Sequence, residues 1–259
     1  MRFPKTRFSK FVSHSAVTVL AIALFTMMSA VGSASAATCT NASFKGVYGF
    51  FSQGFVNSEP LANIGLVTSS GTGTLTGTIT RTLDGVQETA SISGSYTVAK
   101  TCAGTITYTE GSATYNFSID LNDSNKAFQL IETDLGATVI GFVQPLGAAT
   151  CGLSGKAVTY AFNGFGAEAG VGSVGYGGQL KLDGKGNITG TIDISTKGTI
   201  TTGVAVTGTY TQASDCTGTV VLNPTGFATI DFNSYAVNAN KELLLIDTVG
   251  GMTVGGNIQ

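Results

Sequence analysis

The chain has little of what most enzymes and nucleic-acid binders depend on. Its 259 residues include one histidine, no tryptophan and four prolines, and only 11% of them are charged. The one histidine, His14, sits in a leader-like N-terminal segment. Without that segment no imidazole remains, which excludes Ser–His and Cys–His nucleophilic chemistry and histidine-ligated zinc. The formal charge of −2 offers no basic footprint for nucleic acid. No Cys-x-x-Cys spacing suggests a redox or metal site. No segment carries a helical period with a cap. No cofactor motif stands in a suitable context, and no cofactor or metal is expected.

The N-terminus reads as an address label. Arg2, Lys5, Arg7 and Lys10 precede an apolar run from Ala16 to Met28, and Ala34-Ser35-Ala36 has the A-x-A form of a cleavage site. Residues 1–36 are therefore expected to be a Sec-type signal peptide cut after Ala36, sending the chain to the periplasm or the medium. The remainder has 9 basic and 15 acidic residues, a formal −6. It holds no apolar run of 18 residues, so no transmembrane helix is expected.

What is abundant is repetition. Gly94-Ser95-Tyr96-Thr97, with Cys102, Gly104 and Thr105, reappears as Gly208-Thr209-Tyr210-Thr211, with Cys216, Gly218 and Thr219. Lys126–Gln144 aligns without gaps on Lys241–Gln259. The unit of about 110 residues predicts two tandem domains, 37–146 and 147–259. Each copy has two cysteines, and an oxidising compartment favours one bridge per copy, Cys39–Cys102 and Cys151–Cys216.

The local pattern is β. Nearly a third of residues 37–259 are Gly or Thr, and polar and apolar residues alternate. Every even residue from Thr72 to Thr82 is Thr, with Leu75, Gly77, Ile79 and Leu83 on the other face. About eight short strands per copy, joined by short turns such as Asp84-Gly85, predict two up-and-down antiparallel β-barrels, with β-sandwiches as the alternative. Glycines recur on the apolar face at 77, 94, 104, 190, 208 and 218, which implies either sharp curvature or room for a ligand.

The candidate ligand-binding residues follow from this frame. Glu132 and Asp247 hold matching positions on the seventh strand of each copy; facing inward, such a carboxylate would anchor a polar or cationic group, and facing outward it would be satisfied by a turn or solvent. Tyr48, Tyr96, Tyr108, Tyr160 and Tyr210 are the aromatics expected to line a lumen. Gly170–Gly175 matches G-x-G-x-x-G, but its all-β surroundings predict a flexible loop; Ser52–Asn63 is expected to be a matching lid. Together D-G-K-G-N-x-T-G (Asp183–Gly190), G-T-Y-T (Gly208–Thr211) and D-C-T-G-T (Asp215–Thr219) resemble a group of uncharacterised secreted bacterial all-β repeat proteins. The resemblance implies fold and export rather than an activity. The expectation is an exported, non-enzymatic barrel protein that binds a small apolar ligand or a cell-surface partner. The alternatives are a structural or adhesive envelope protein, and a cavity enzyme, an isomerase or hydrolase, using carboxylate and tyrosine groups.

Overall fold

The computed structural model describes residues 38–122, 127–147, 151–152 and 157–259. The expected signal peptide, residues 1–36, lies outside them. Sixteen antiparallel strands form two closed barrels in tandem. Barrel 1 comprises β1 (Lys45–Val56), β2 (Glu59–Ser70), β3 (Thr74–Leu83), β4 (Val86–Val98), β5 (Ala103–Glu110), β6 (Ala113–Leu121), β7 (Phe128–Glu132) and β8 (Ala137–Pro145). Barrel 2 comprises β9 (Val158–Glu168), β10 (Gly172–Leu182), β11 (Asn187–Thr196), β12 (Thr199–Gln212), β13 (Thr217–Pro224), β14 (Ile230–Val237), β15 (Glu242–Asp247) and β16 (Met252–Ile258). Each strand pairs with its neighbours in sequence, and first meets last. Closure leaves no unpaired edge.

The alternation in the sequence sets which residues fill each barrel. Register places Tyr48, Val67, Gly77 and Ile92 in one inward row of barrel 1, while Thr76, Thr78, Ser91 and Ser93 face out. The inward glycines serve curvature. A Cβ on Gly94 would lie 2.1 Å from the Thr107 carbonyl, and one on Gly208 2.1 Å from that of Val221. The strands coil too tightly there for any side chain.

Two segments read as loops are strands. Ser52–Asn63 is the tip of the β1–β2 hairpin, with Ser52 paired to Asn63 and Val56 to Glu59. The glycine run beginning at Gly170 is a short turn followed by β10. Glycine permits a loop without requiring one, and here barrel closure demands long strands.

Two cross-links hold the same place in each barrel: Cys39–Cys102 and Cys151–Cys216. Cys102 and Cys216 adopt left-handed backbone, φ 70° and 74°, in turns closed by their amides on Ala99 and Ala213. In the chain-entropy account, closing loops of 63 and 65 residues stabilises by about 4 kcal/mol each.

The barrels also pack on each other. Phe51, Ala62 and Ile64 on the outer face of β1 and β2 meet Tyr235, Val237, Leu244 and Ile246 on the outer face of β14 and β15. Gly49 and Gly255 are small for this reason: a Cβ on Gly49 would strike Val237, and one on Gly255 the Phe51 ring, at 2.3 and 2.5 Å. The Asp84-Gly85 hairpin docks on barrel 2, with Gly85 N–H donating to Thr253 Oγ1 at 2.7 Å and the Gly85 carbonyl accepting from Gly251 at 3.1 Å.

Candidate functional site

The lumens come first, because the sequence points there. In barrel 1, Phe44 enters the end that carries the disulfide and stacks edge-on against Tyr48, Tyr96 and Phe128, with centroids 4.6 to 4.8 Å away. Tyr96 OH donates to the Phe44 carbonyl at 2.9 Å, and Ser69 Oγ donates to the same oxygen. Tyr108 stacks on Phe117 deeper in. The free volume left in this lumen is about 30 Å³, walled by Phe50, Val67, Ile92, Ile106 and Leu130. That holds water-sized molecules only, far below the roughly 300–1,000 Å³ of small-ligand sites. Tyr48, Tyr96, Tyr108 and Tyr210 are buried core residues; Tyr160 is half-buried at the edge of the barrel 2 core. Burial raises the hydroxyl pKa of Tyr48, Tyr108 and Tyr160 above the usual value.

The other end of barrel 1 is closed by charge. Arg81 faces inward from β3 and is 7% exposed. Its Nε donates to Asn63 Oδ1 at 3.3 Å, and a terminal nitrogen donates to Tyr115 OH at 2.6 Å. The other terminal nitrogen lies 2.7 Å from Glu110 Oε2, an ion pair whose alignment falls short of a hydrogen bond. Glu88, more exposed, is 3.6 Å away. The guanidinium also lies over the Tyr115 ring, 4.5 Å from its centroid. Burial opposes the charge of Arg81, but Tyr115 and Glu110 more than offset it and hold its pKa above the usual value.

Glu132 belongs to this group. Burial and the charge of Asp134 raise its carboxyl pKa, and Arg81 opposes the rise. Asp134 itself stays outside the lumen, in the turn after β7, accepting from the Asn116 amide and side chain at 2.8 Å each. Asp247 closes the matching end of barrel 2 and is 1% exposed. One oxygen accepts from Val249 N–H at 2.6 Å; the other has no partner. Burial pushes its carboxyl up to about 7 against that hydrogen bond. The two carboxylates sit in different barrels, so they do not form an acid–base pair.

A larger space lies outside both lumens. Where β1, β7 and β8 of barrel 1 face β9 and β16 of barrel 2, a groove of about 490 Å³ opens. Barrel 1 contributes Gln53, Gln129, Ile140 and Phe142; barrel 2 contributes Asn163, Asn257 and Gln259. Phe51 forms the floor, seated on Gly255. Asn163 Nδ2 donates to Asn257 Oδ1, and Asn257 Nδ2 donates to Glu242 Oε1 at 2.7 Å. Burial raises the Glu242 carboxyl, and the Asn257 bond opposes the rise. Gln53 Oε1 is enclosed without a hydrogen-bond partner. A second hollow of about 510 Å³ over Thr211, Thr219 and Tyr235 is less inviting, because Thr211 and Thr219 already pair at 2.8 Å.

Neither the Arg81 cluster nor the groove was anticipated. Arg81 stands among inward positions between Ile79 and Leu83, where an arginine calls for an internal partner. The groove and interface have their own signal in two unbroken apolar runs, Phe50-Phe51 and Leu243–Ile246, which mark strands buried on both faces. Comparison with known protein families and with curated proteins finds no match.

Proposed function

We propose that the chain is an exported, non-enzymatic binding module whose ligand site is the groove between its barrels. The observation behind this reading is the contrast in space: about 490 Å³ in the groove against about 30 Å³ in the lumen of barrel 1. The leader of residues 1–36 and the two disulfides favour an extracytoplasmic setting. The repeated motifs favour descent of both barrels from one unit, one of them now a wall for the other. A single histidine confined to the leader-like segment, and carboxylates set in separate barrels, argue against the cavity enzyme.

Native mass spectrometry of the chain recovered after export tests this. A retained small molecule is expected, and Ile140→Trp, which fills the groove from an exposed position, removes it. A clean apo mass, together with no thermal shift from a mixed metabolite and oligosaccharide library, defeats the reading.

A structural or adhesive role has one observation in its favour, the hydroxyl-rich outer face. Thr97 pairs with Thr105 at 3.0 Å there, and Ser93 with Thr109 at 3.4 Å. Those hydroxyls already satisfy one another, which suits a solvated face better than an adhesive one.

A further inference from the structure

We infer that the groove takes a neutral, hydroxyl-rich chain, an uncharged oligosaccharide; the inference rests on the groove being the ligand site. The lining is mixed, hydrocarbon interspersed with polar groups, and carries no charged side chain. Its polarity comes from five carboxamides, those of Gln53 and Gln129 on one wall and of Asn163, Asn257 and Gln259 on the other. A carboxamide both donates and accepts, as a sugar hydroxyl does, so the two match in either direction. An anionic ligand finds no counter-ion among these side chains. An apolar ligand would strip water from the amides and return no hydrogen bonds, which is unfavourable.

Placement adds to chemistry. The amides come from two barrels, so a chain lying in the groove is held along both edges. Between them Phe51, Ile140 and Phe142 present hydrocarbon, the surface on which the C–H faces of a sugar ring pack. The nearby acid, Glu242, is 5% exposed and already engaged. It accepts from Asn257, which in turn accepts from Asn163, and this fixes one wall before a ligand arrives. Preorganised polar groups bind more tightly than free ones, because less rotamer freedom is lost on binding.

The test is titration calorimetry on the full exported chain with five probes: cellohexaose, maltohexaose, the fully N-acetylated chitin hexamer, a hexamer of galacturonic acid, and palmitate. At least one neutral hexasaccharide is expected to bind. Its affinity should fall at least tenfold in both Gln129→Ala and Asn163→Ala. Both residues are exposed, so circular dichroism should stay unchanged. Binding of palmitate or the acidic hexamer alone, lost in the same variants, overturns the sugar assignment and leaves the groove as the site. Neutral-sugar binding that survives both variants but is lost in Thr76→Ala moves the ligand to the threonine face and overturns the inference. No binding by any probe overturns it as well, and the retained-mass experiment then decides separately whether the groove holds something else.

Discussion

At the end opposite its disulfide, barrel 1 closes its lumen with charge; at the matching end, barrel 2 closes with hydrocarbon. Strand order and register pair Arg81 with Ile194, Tyr108 with Leu222, Glu110 with Pro224 and Tyr115 with Ile230. One position keeps its acid: Glu132 corresponds to Asp247. The same backbone thus accepts two ways of filling a barrel end. In barrel 1 the acid has a guanidinium nearby. In barrel 2 it has Val249 N–H on one oxygen and nothing on the other, and its carboxyl rises to about 7. Tyr176 sits at the position of Asn63, and burial, with the charges of Asp247 and Glu168, raises its hydroxyl to about 12. A polar end satisfies its groups by a network, whereas an apolar end with one leftover acid holds that acid protonated.

The largest break in this comparison is Arg81→Ile, which copies barrel 2 into barrel 1. It leaves Glu110 and Glu132 buried without a cation. Urea denaturation should report a loss of about 3–5 kcal/mol. Adding Glu110→Leu removes the orphaned charge that lay against Arg81, leaving only Glu132, and should recover much of that loss, because an apolar replacement of a buried pair is often neutral or better. If the double variant is no better than the single one, the cluster does more than balance charge.

Asp247 gives the next effect, and its sign follows from the raised pKa. The native state holds the proton to about pH 7, whereas the unfolded chain releases it near pH 4. Between those values the native state binds more protons, so stability falls as pH rises. The loss should reach about 2–4 kcal/mol by pH 8. Asp247→Asn should remove most of this slope. A variant whose stability declines over pH 4–8 as steeply as the parent would contradict the assignment.

The smallest effect lies in a turn. Asp84-Gly85 and Lys197-Gly198 hold matching hairpins, with φ of 47° and 76° in one and 50° and 81° in the other. Such primed turns favour Asn-Gly or Asp-Gly. Lys197→Asn should raise the thermal midpoint slightly, by about 0.5 kcal/mol of stability. No rise would mean that Lys197 makes a contact worth as much as the backbone preference.

Much of the fold was legible because period-two alternation reports which face is wet. It located the strands, the inward rows and the closed barrels, and the cysteine spacing gave both bridges. Alternation reports one buried face per strand, so it is silent where both are covered. Phe51 and Leu244 lie on the face that alternation assigns to water, and only packing between barrels explains them. The lid expected at Ser52–Asn63 failed for a related reason, since its polar residues, Ser52 and Asn63, hydrogen-bond each other inside the barrel at 3.0 Å. Glu132 and Asp247 lie on inward rows, a facing that alternation left open because Ile131 and Ile246 occupy the opposite face, and the sequence could not tell that one had an arginine for company and the other none.

The contact between the barrels joins unlike surfaces, β1 and β2 of one to β14 and β15 of the other. A contact between unlike surfaces, repeated from copy to copy, closes into a ring or runs on as a filament. The equivalent positions on the other faces differ. Phe51, Ile64 and Leu66 become Asn163, Gly177 and Gln179 on the free face of barrel 2; Tyr235 and Leu244 become Asp120 and Gln129 on the free face of barrel 1. Two of these polar residues, Asn163 and Gln129, line the groove, so the side chains that make those faces unsuited to the same apolar contact also furnish its polar walls.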